Sequence, residues 1–349
     1  MIVNGIDLDG LADDADAIQI PDPVPGRVVH IDADFLAYMM SAEKADGTDT
    51  KTFDDMKHNT VVFADTIKGL AGATHLHMHL TPSTSNKGGR YEQAIQKQYQ
   101  GNRLDKPKPR YLNILREWMN AHFPCTMHQN CEADDGMSSM QYAAIARGER
   151  SLSIIATKDK DLNQVPGLHV DWDTGAIVDA DEFGSTYLYN RNGQQVLKGF
   201  GQKFFWAQML MGDTADNTQG LPKLPGYVLN EIKPTKEITK AKQIIAGEIP
   251  ATAKQFERAQ RTLAERPDGL CGPVITQALM EMLPNHQVAY ATIKGLYKRV
   301  GEHIGFKHWK TGEPVEWNKV FVSEAQLHWM RRKKDDAYDV ARWWQEILA

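Results

Sequence analysis

Two hydrophobic periods alternate along residues 27–172, and that alternation restricts the fold more than any other feature of the sequence. Arg27-Val28-Val29-His30-Ile31 is a short apolar run that reads as a buried strand ending at Asp32. Residues 54–70 then place Met56, Val61, Val62 and Ile67 at helical spacing, and 75–80 reads as a second strand. Leu112, Leu115, Trp118 and Met119 predict a helix over 111–122. A further helix over 132–146, with Met137, Met140 and Ala144 on one face, precedes apolar strands at 152–156 and 168–172. Strands separated by helices pack most simply as a parallel sheet with helices on its faces, so an α/β core is expected. Past residue 200 the period is helical only (202–211, 240–246, 253–264, 274–282, 287–299 and 324–348), and no strand is expected. The chain therefore divides into an N-terminal arm over 1–26, an α/β core over 27–200 and a helical portion over 201–349.

Acidic residues gather where these elements end. HIDADF carries Asp32 and Asp34 just past the first strand, and CEADD carries Glu132, Asp134 and Asp135 at the start of a helix. TKDKDL carries Asp159 and Asp161 past the strand at 152–156, and MGDTADN carries Asp213 and Asp216 after a helical run. In open parallel sheets ligands bind beyond the carboxyl ends of the strands, which is where the first and third clusters fall. Two unit charges about 4 Å apart repel by about 4 kcal/mol at an effective dielectric near 20. Convergence of the four clusters would thus require cations. An all-oxygen donor set suits Mg²⁺ or Mn²⁺, and two such ions would clamp an in-line phosphoryl displacement. The bland alternatives are helix-dipole partners for EADD and capping or solvated turns for the other three.

Net charge is −5, yet the distribution is uneven. Between Lys87 and Arg110 lie seven basic residues (Lys87, Arg90, Lys97, Arg103, Lys106, Lys108, Arg110) against two acids, with Tyr91 and Tyr99 interleaved. Such a segment suits phosphates and unpaired bases, or else forms an exposed amphipathic stretch. No apolar run approaches the ~20 residues that span a bilayer, and the acidic, proline-containing start lacks the form of a signal peptide. Three scattered cysteines (Cys125, Cys131, Cys271) exclude a disulfide framework or zinc site and predict a reducing, cytoplasmic compartment. His75, His77 and His79 share one strand face, which would suit a metal, and read instead as covering a sheet surface. Arg331-Arg332-Lys333-Lys334 fits either a DNA backbone or a solvated helix face, and Trp343-Trp344 reads as an anchor for the last helix.

An aspartate after the first strand, then YQGNR, EADD, T-x-D-x-D and MGDTADN followed by a glycine-containing turn, resembles the 5′-nuclease (flap endonuclease-like) family over residues 27–226, nearest to phage and bacterial 5′-3′ exonucleases. The resemblance implies a PIN-like core, a helical arch at about 82–122, a helix-hairpin-helix variant at about 212–227, and hydrolysis of DNA, with RNA primers as a further substrate. It implies Asp32, Glu132 and Asp134, with Asp135 and Asp34 close by, as ligands of a first metal cluster, and Asp159, Asp161, Asp213 and Asp216 as a second. Arg90 and Arg103 would steer the scissile phosphate, and Tyr99, Asn102, Lys106, Lys108 and Lys223 would contact DNA. A monomer working beside replication proteins is expected. The family's arch lysine is Gln100 here, leaving Lys97 or Lys106 to replace it. An aspartate expected after the second strand is absent near Thr81 and Pro82. Lys223 and Pro225 stand at glycine positions of the hairpin, which puts its backbone K⁺ site in question. Two rivals remain. One is a haloacid-dehalogenase-type phosphatase with Asp32 as nucleophile, against which stand Phe35 and the unexplained EADD and YQGNR. The other is a DNA-binding module without catalysis.

Overall fold

The computed structural model describes residues 20–43, 51–104, 106–334 and 340–348, together with short paired strands at Ile2–Val3 and Ile6–Asp7. Most of the expected N-terminal arm, and the 335–339 portion of the expected last helix, lie outside the described residues. The chain divides into two compact units. The first takes residues 1–88, 107–182 and 330–338, and the second takes 89–106, 183–329 and 339–349.

The first unit is a mixed α/β fold around a mainly parallel six-stranded sheet. Its elements are β1 (Val24–Asp32), α1 (Ala33–Ser41), α2 (Phe53–Leu70), β2 (Ala73–Leu80), α3 (Leu112–His122), β3 (Cys125–Met127), α4 (Ala133–Ala146), β4 (Ser153–Ala156), β5 (Gly167–Val170) and β6 (Ile177–Ala180). The strand order is β3-β2-β1-β4-β5-β6, parallel throughout except for the antiparallel β5–β6 pair. The four strands expected from the sequence are all present. The strands β3 and β6 and the helix α1 are additions to that expectation.

Alternation decides what each strand gives to each face. Val29, Ile31, Met78, Leu80, Ile154 and Ala156 point to one side, where Leu36, Met56, Ile67, Leu115 and Met119 of α1, α2 and α3 close a buried core. Ile155 points to the other side and packs with Met137 of α4, Leu162 and Val165. The run SIIA reads as continuously apolar because both faces of the sheet are covered.

That second face also carries a row of imidazoles. His30 Nδ1 lies 3.0 Å from His79 Nε2, and His79 Nδ1 lies 3.0 Å from His128 Nε2. His77 meets Thr126 Oγ1 at 2.8 Å. The alternating histidines of β2 thus cover a sheet surface, as the bland alternative held. Gly136 is required beneath them: any Cβ at that position of α4 would overlap the His128 ring. Gly136→Ala is therefore expected to lower stability by about 1–3 kcal/mol, the usual cost of overpacking. Thermal or urea unfolding checks this, and an unchanged midpoint would contradict the close approach.

The second unit is mostly helical: α5 (Gln202–Met211), α6 (Gly226–Ile232), α7 (Lys236–Ile245), α8 (Ala253–Ala264), α9 (Pro273–Glu281), α10 (His286–His303), α11 (Trp317–His328) and α12 (Val340–Leu348). Trp343 and Trp344 anchor α12 as expected, against Phe205, Trp206 and Phe321. A β-hairpin, Ser185–Arg191 with Gln194–Phe200, precedes α5 and adds to the strands expected before residue 200. Past residue 200, Phe306–Lys307 pairs with Pro314–Val315, which corrects the expectation of no strand there. Among the described residues of 82–122, helix occurs as 3₁₀ turns at Lys87–Gly89 and Gly101–Arg103, a turn at Arg90–Gln93 and α3. Pro107 and Pro109 lack amide donors, and Gly88, Gly89 and Gln100 adopt left-handed backbone, so a continuous helix cannot form there.

Candidate metal centre

Parallel register brings the first and third acidic clusters to one edge of the sheet. Ile31 lies opposite Ala156, so the chain leaves β1 and β4 side by side. Asp32 caps α1, its Oδ1 accepting from Phe35 N at 3.0 Å, while Oδ2 accepts from Thr157 Oγ1 at 3.0 Å. Thr157 Oγ1 accepts from Asp159 N at 2.9 Å, and Asp159 Oδ1 accepts from Asp161 N at 2.9 Å. One threonine hydroxyl therefore ties Asp32 to the segment carrying Asp159 and Asp161.

The second cluster joins from β2. Thr81 N donates to Asp34 Oδ2 at 3.0 Å, and Thr81 Oγ1 accepts from Ala133 N at 2.8 Å. The first turn of α4 is thereby fastened to the end of β2, which places Glu132 and Asp134 beside the strand ends. At the position where the family's missing aspartate was sought, this chain uses a threonine as a fastener. Three of the four acidic clusters are thus linked within the first unit.

Asp32 is 7% exposed, and its carboxyl is pushed up to about 6, by burial first and by the Asp34 charge second. Burial also raises Asp34, against the pull of Arg116. Arg116 Nη2 pairs with Asp34 Oδ1 and also donates to Thr81 O. Glu132 Oε1 lies 3.1 Å from Lys87 Nζ, and Asp161 Oδ1 lies 3.2 Å from Lys160 Nζ.

Two expected ligands have other work. Asp34 has both oxygens engaged by Arg116 and Thr81, so it anchors the strand end. Asp135 is fully buried. Its Oδ2 accepts from Glu132 N at 3.2 Å, closing a capping box, and its Oδ1 accepts from Arg331 N at 3.3 Å. The helix-cap alternative therefore holds for Asp135.

In the second unit, the loop after α5 holds Asp213 and Asp216. Asp213 N donates to Thr218 Oγ1 at 2.7 Å, and Asp213 Oδ1 accepts from Ala215 N at 2.8 Å. The motif QYQGNR lies against this loop. Gln100 Nε2 and Arg103 Nη2 reach Asp216 Oδ1 at 2.9 and 2.8 Å, Arg103 Nε donates to Ala215 O, and Asn102 Nδ2 donates to Thr214 O at 2.7 Å. Gln100, standing where the family has a lysine, holds an aspartate. Asn102 was expected on DNA and instead secures a backbone carbonyl.

Two further expectations are corrected by burial. Arg90 is 1% exposed and donates to Trp329 O at 2.8 Å, so its guanidinium is a packing group and not a phosphate contact. Tyr99 is 2% exposed, packed with Ala94 and Leu327, and cannot stack on a base; its edge-on neighbour Tyr91 is the exposed ring, at 40%. Lys97, Arg103, Lys106, Lys108 and Lys223 remain exposed. In the hairpin region, Leu224 pairs with Gly269, and Gly226 N at the head of α6 donates to Asp268 Oδ1 at 3.0 Å.

Sequence reasoning gave no role to Thr81, Thr157 and Arg116, and counted Lys87 in the basic segment without its partner Glu132. Thr157 had a signal, since it stands between a strand and two aspartates. Arg116 had none, lying 82 residues from its partner.

No family model matches the chain, and no curated protein matches it. Among the solved structures to which it is similar are a flap endonuclease and a 5′-exonuclease of bacteriophage T5. One is a flap endonuclease pseudo-enzyme–product complex with DNA and metal ions, at 12% identity and TM-score 0.41, covering 86% of this chain and 99% of that chain. Another is a 5′-exonuclease with bound zinc, at 13% identity and TM-score 0.40, covering 93% and 100%.

Proposed function

We propose that this chain is a divalent-metal-dependent 5′-nuclease hydrolysing DNA phosphodiesters. The observation that carries the reading is the Asp32–Thr157–Asp159–Asp161 chain at the ends of β1 and β4. Through Thr81, Glu132 and Asp134 are fastened to the neighbouring strand end.

The donor set fits Mg²⁺ or Mn²⁺. It is all oxygen, contributed by strand ends and a helix start, and its buried member Asp32 carries a charge that burial and Asp34 destabilise. Asp32, Glu132, Asp134, Asp159 and Asp161 are the proposed ligands in the first unit, and Asp213 and Asp216 are proposed as a separate acidic pair within the second. Bound there, the ion supplies a Lewis acid for a phosphoryl oxygen and a water of lowered pKa. The chain's own residues hold the carboxylates in place: Thr157 fixes the Asp32 rotamer, Thr81 fixes the α4 turn, and Gln100 and Arg103 fix Asp216. Exposed Lys97, Arg103, Lys106 and Lys108 draw the phosphate backbone in, an attraction that weakens with salt.

The test is a gel assay with 5′- and 3′-labelled single-stranded, duplex and flapped DNA, with Mg²⁺, Mn²⁺ or EDTA. Release of label from 5′ ends, abolished by EDTA, is expected. Absence of cleavage with either metal would remove the enzymatic reading and favour a DNA-binding module.

A further inference from the structure

The β-hairpin before α5 has no part in the metal centre, and its outer face has the composition of a nucleic-acid surface. Arg191 pairs with Gln194, leaving a two-residue loop of Asn192 and Gly193. Both have positive φ, 53° and 83°, as a type I′ turn demands, so the register is fixed by the turn itself. Alternation then sorts the side chains. Thr186 and Leu188 share a face with Leu197, which is buried, and Gln277 of α9 donates to Thr186 O at 3.1 Å. The opposite face presents Tyr187, Tyr189 and Arg191 on one strand and Val196 and Lys198 on the other.

Tyr187 and Tyr189 are each 46% exposed, an unusual outlay of ring surface on a two-stranded ribbon. Lys198 lies opposite Tyr187 in the register, with its Nζ 4.6 Å from the centre of the Tyr189 ring. The ribbon from Phe183 to Phe200 contains two cations, Arg191 and Lys198, and no acid. Residues two apart on a strand are separated by about 6.6 Å, which matches the spacing of successive nucleotides in an extended single strand.

We propose that this face binds unpaired nucleic acid, with two successive bases on Tyr187 and Tyr189 and the adjoining phosphates on Lys198 and Arg191. Ring faces accept any base, while the cations complement the backbone, so the site is tolerant of sequence and sensitive to salt. A membrane surface would call for a larger apolar patch, and a protein partner would have no need of cations alone. The proposal deepens the nuclease reading by giving it a surface for single-stranded substrate, and rests on it only for the class of ligand.

Binding and cleavage separate the two. Fluorescence anisotropy of a labelled oligo-dT 20-mer is measured in EDTA, so that no chemistry occurs. Tyr187→Ala/Tyr189→Ala is expected to weaken binding at least about tenfold, since each stacked base contributes measurably. Arg191→Ala/Lys198→Ala is expected to flatten the slope of log K against log salt by about 1.4, two phosphates at about 0.7 each. Lys254→Ala/Arg258→Ala, on the exposed side of α8, serves as the charge-matched control and should change little. All four positions are exposed, so unfolding midpoints should match the parent.

Binding within twofold of the parent in the tyrosine variant overturns the proposal, as does a parent that fails to bind the oligonucleotide. An equal loss for blunt duplex overturns the assignment to unpaired bases. Weakened binding by the tyrosine variant, in a parent that never cleaves, supports the proposal and sinks the nuclease reading alone.

Discussion

Asp32→Asn and Asp159→Asn should each reduce Mg²⁺-dependent cleavage about a thousandfold or more, with folding unchanged. The Asp32 carboxylate and the Asp159 backbone N–H meet the same threonine hydroxyl from neighbouring strand ends, and removing either side-chain charge withdraws a proposed ligand of the ion. Metal-assisted stabilisation of a phosphoryl transition state amounts to several kcal/mol, and each 1.36 kcal/mol is a factor of ten in rate. Asn retains the shape and one acceptor oxygen, so the Phe35 cap and the Thr157 hydrogen bond have an isosteric partner. Asp135→Asn is the informative contrast. Its carboxylate closes a capping box and receives Arg331 N, so the loss should appear as lower stability, with cleavage per folded molecule little changed. Initial rates on a 5′-labelled oligonucleotide, beside urea midpoints for each variant, measure this. Near-parental turnover by Asp32→Asn or Asp159→Asn would sink the metal-centre assignment.

What the sequence disclosed and what it hid have physical reasons. The parallel sheet was legible because SIIA is apolar on both faces, a pattern that demands cover on both sides, and because apolar strands alternate with helical periods. The helix α1 was not, since nine residues make barely two and a half turns and its cap, Asp32, already had a chemical reading. The hairpin was missed although Asn192-Gly193 is a strong turn signal, because its strands carry polar and aromatic residues where buried strands would be apolar. Ligand and cap look identical in EADD: a carboxylate at the head of a helix suits the dipole whatever else it binds. Only the path of Asp135's two oxygens separates them. Likewise a run of cations with interleaved tyrosines states a composition, and only the fold decides that Arg90 and Tyr99 turn inward while Tyr91 and Arg103 stay out. Contacts such as Arg116 with Asp34 or Gln100 with Asp216 join distant segments whose own neighbours say nothing of the pairing.

The buried imidazoles of the first unit should make it sensitive to acid. Burial pushes His30 down to about 3 and His128 and His169 down to about 4, from 6.5, and holds His79 well below its ordinary value. Geometry gives the same sign: His79 has a ring nitrogen of a neighbour 3.0 Å from each of its own, so a neutral row can pass one N–H along, whereas a doubly protonated ring would set donor against donor. Below pH 6.5 the unfolded chain takes up protons that the folded chain refuses until pH 4 or lower, so stability falls across that window. Each such group contributes on the order of 3 kcal/mol. Asp32 acts in the opposite sense. Its folded carboxyl, at about 6, gains a proton before the unfolded one at 3.8, which adds stability as pH drops through 6. One carboxyl cannot offset several imidazoles, and total stability is only about 5–15 kcal/mol. In EDTA, the urea midpoint should therefore drop sharply between pH 7.5 and 5.0, and His128→Gln, which removes the imidazole at the outer end of the row, should shrink that drop. A midpoint at pH 5.0 equal to or above that at pH 7.5 would show that the row is not held neutral.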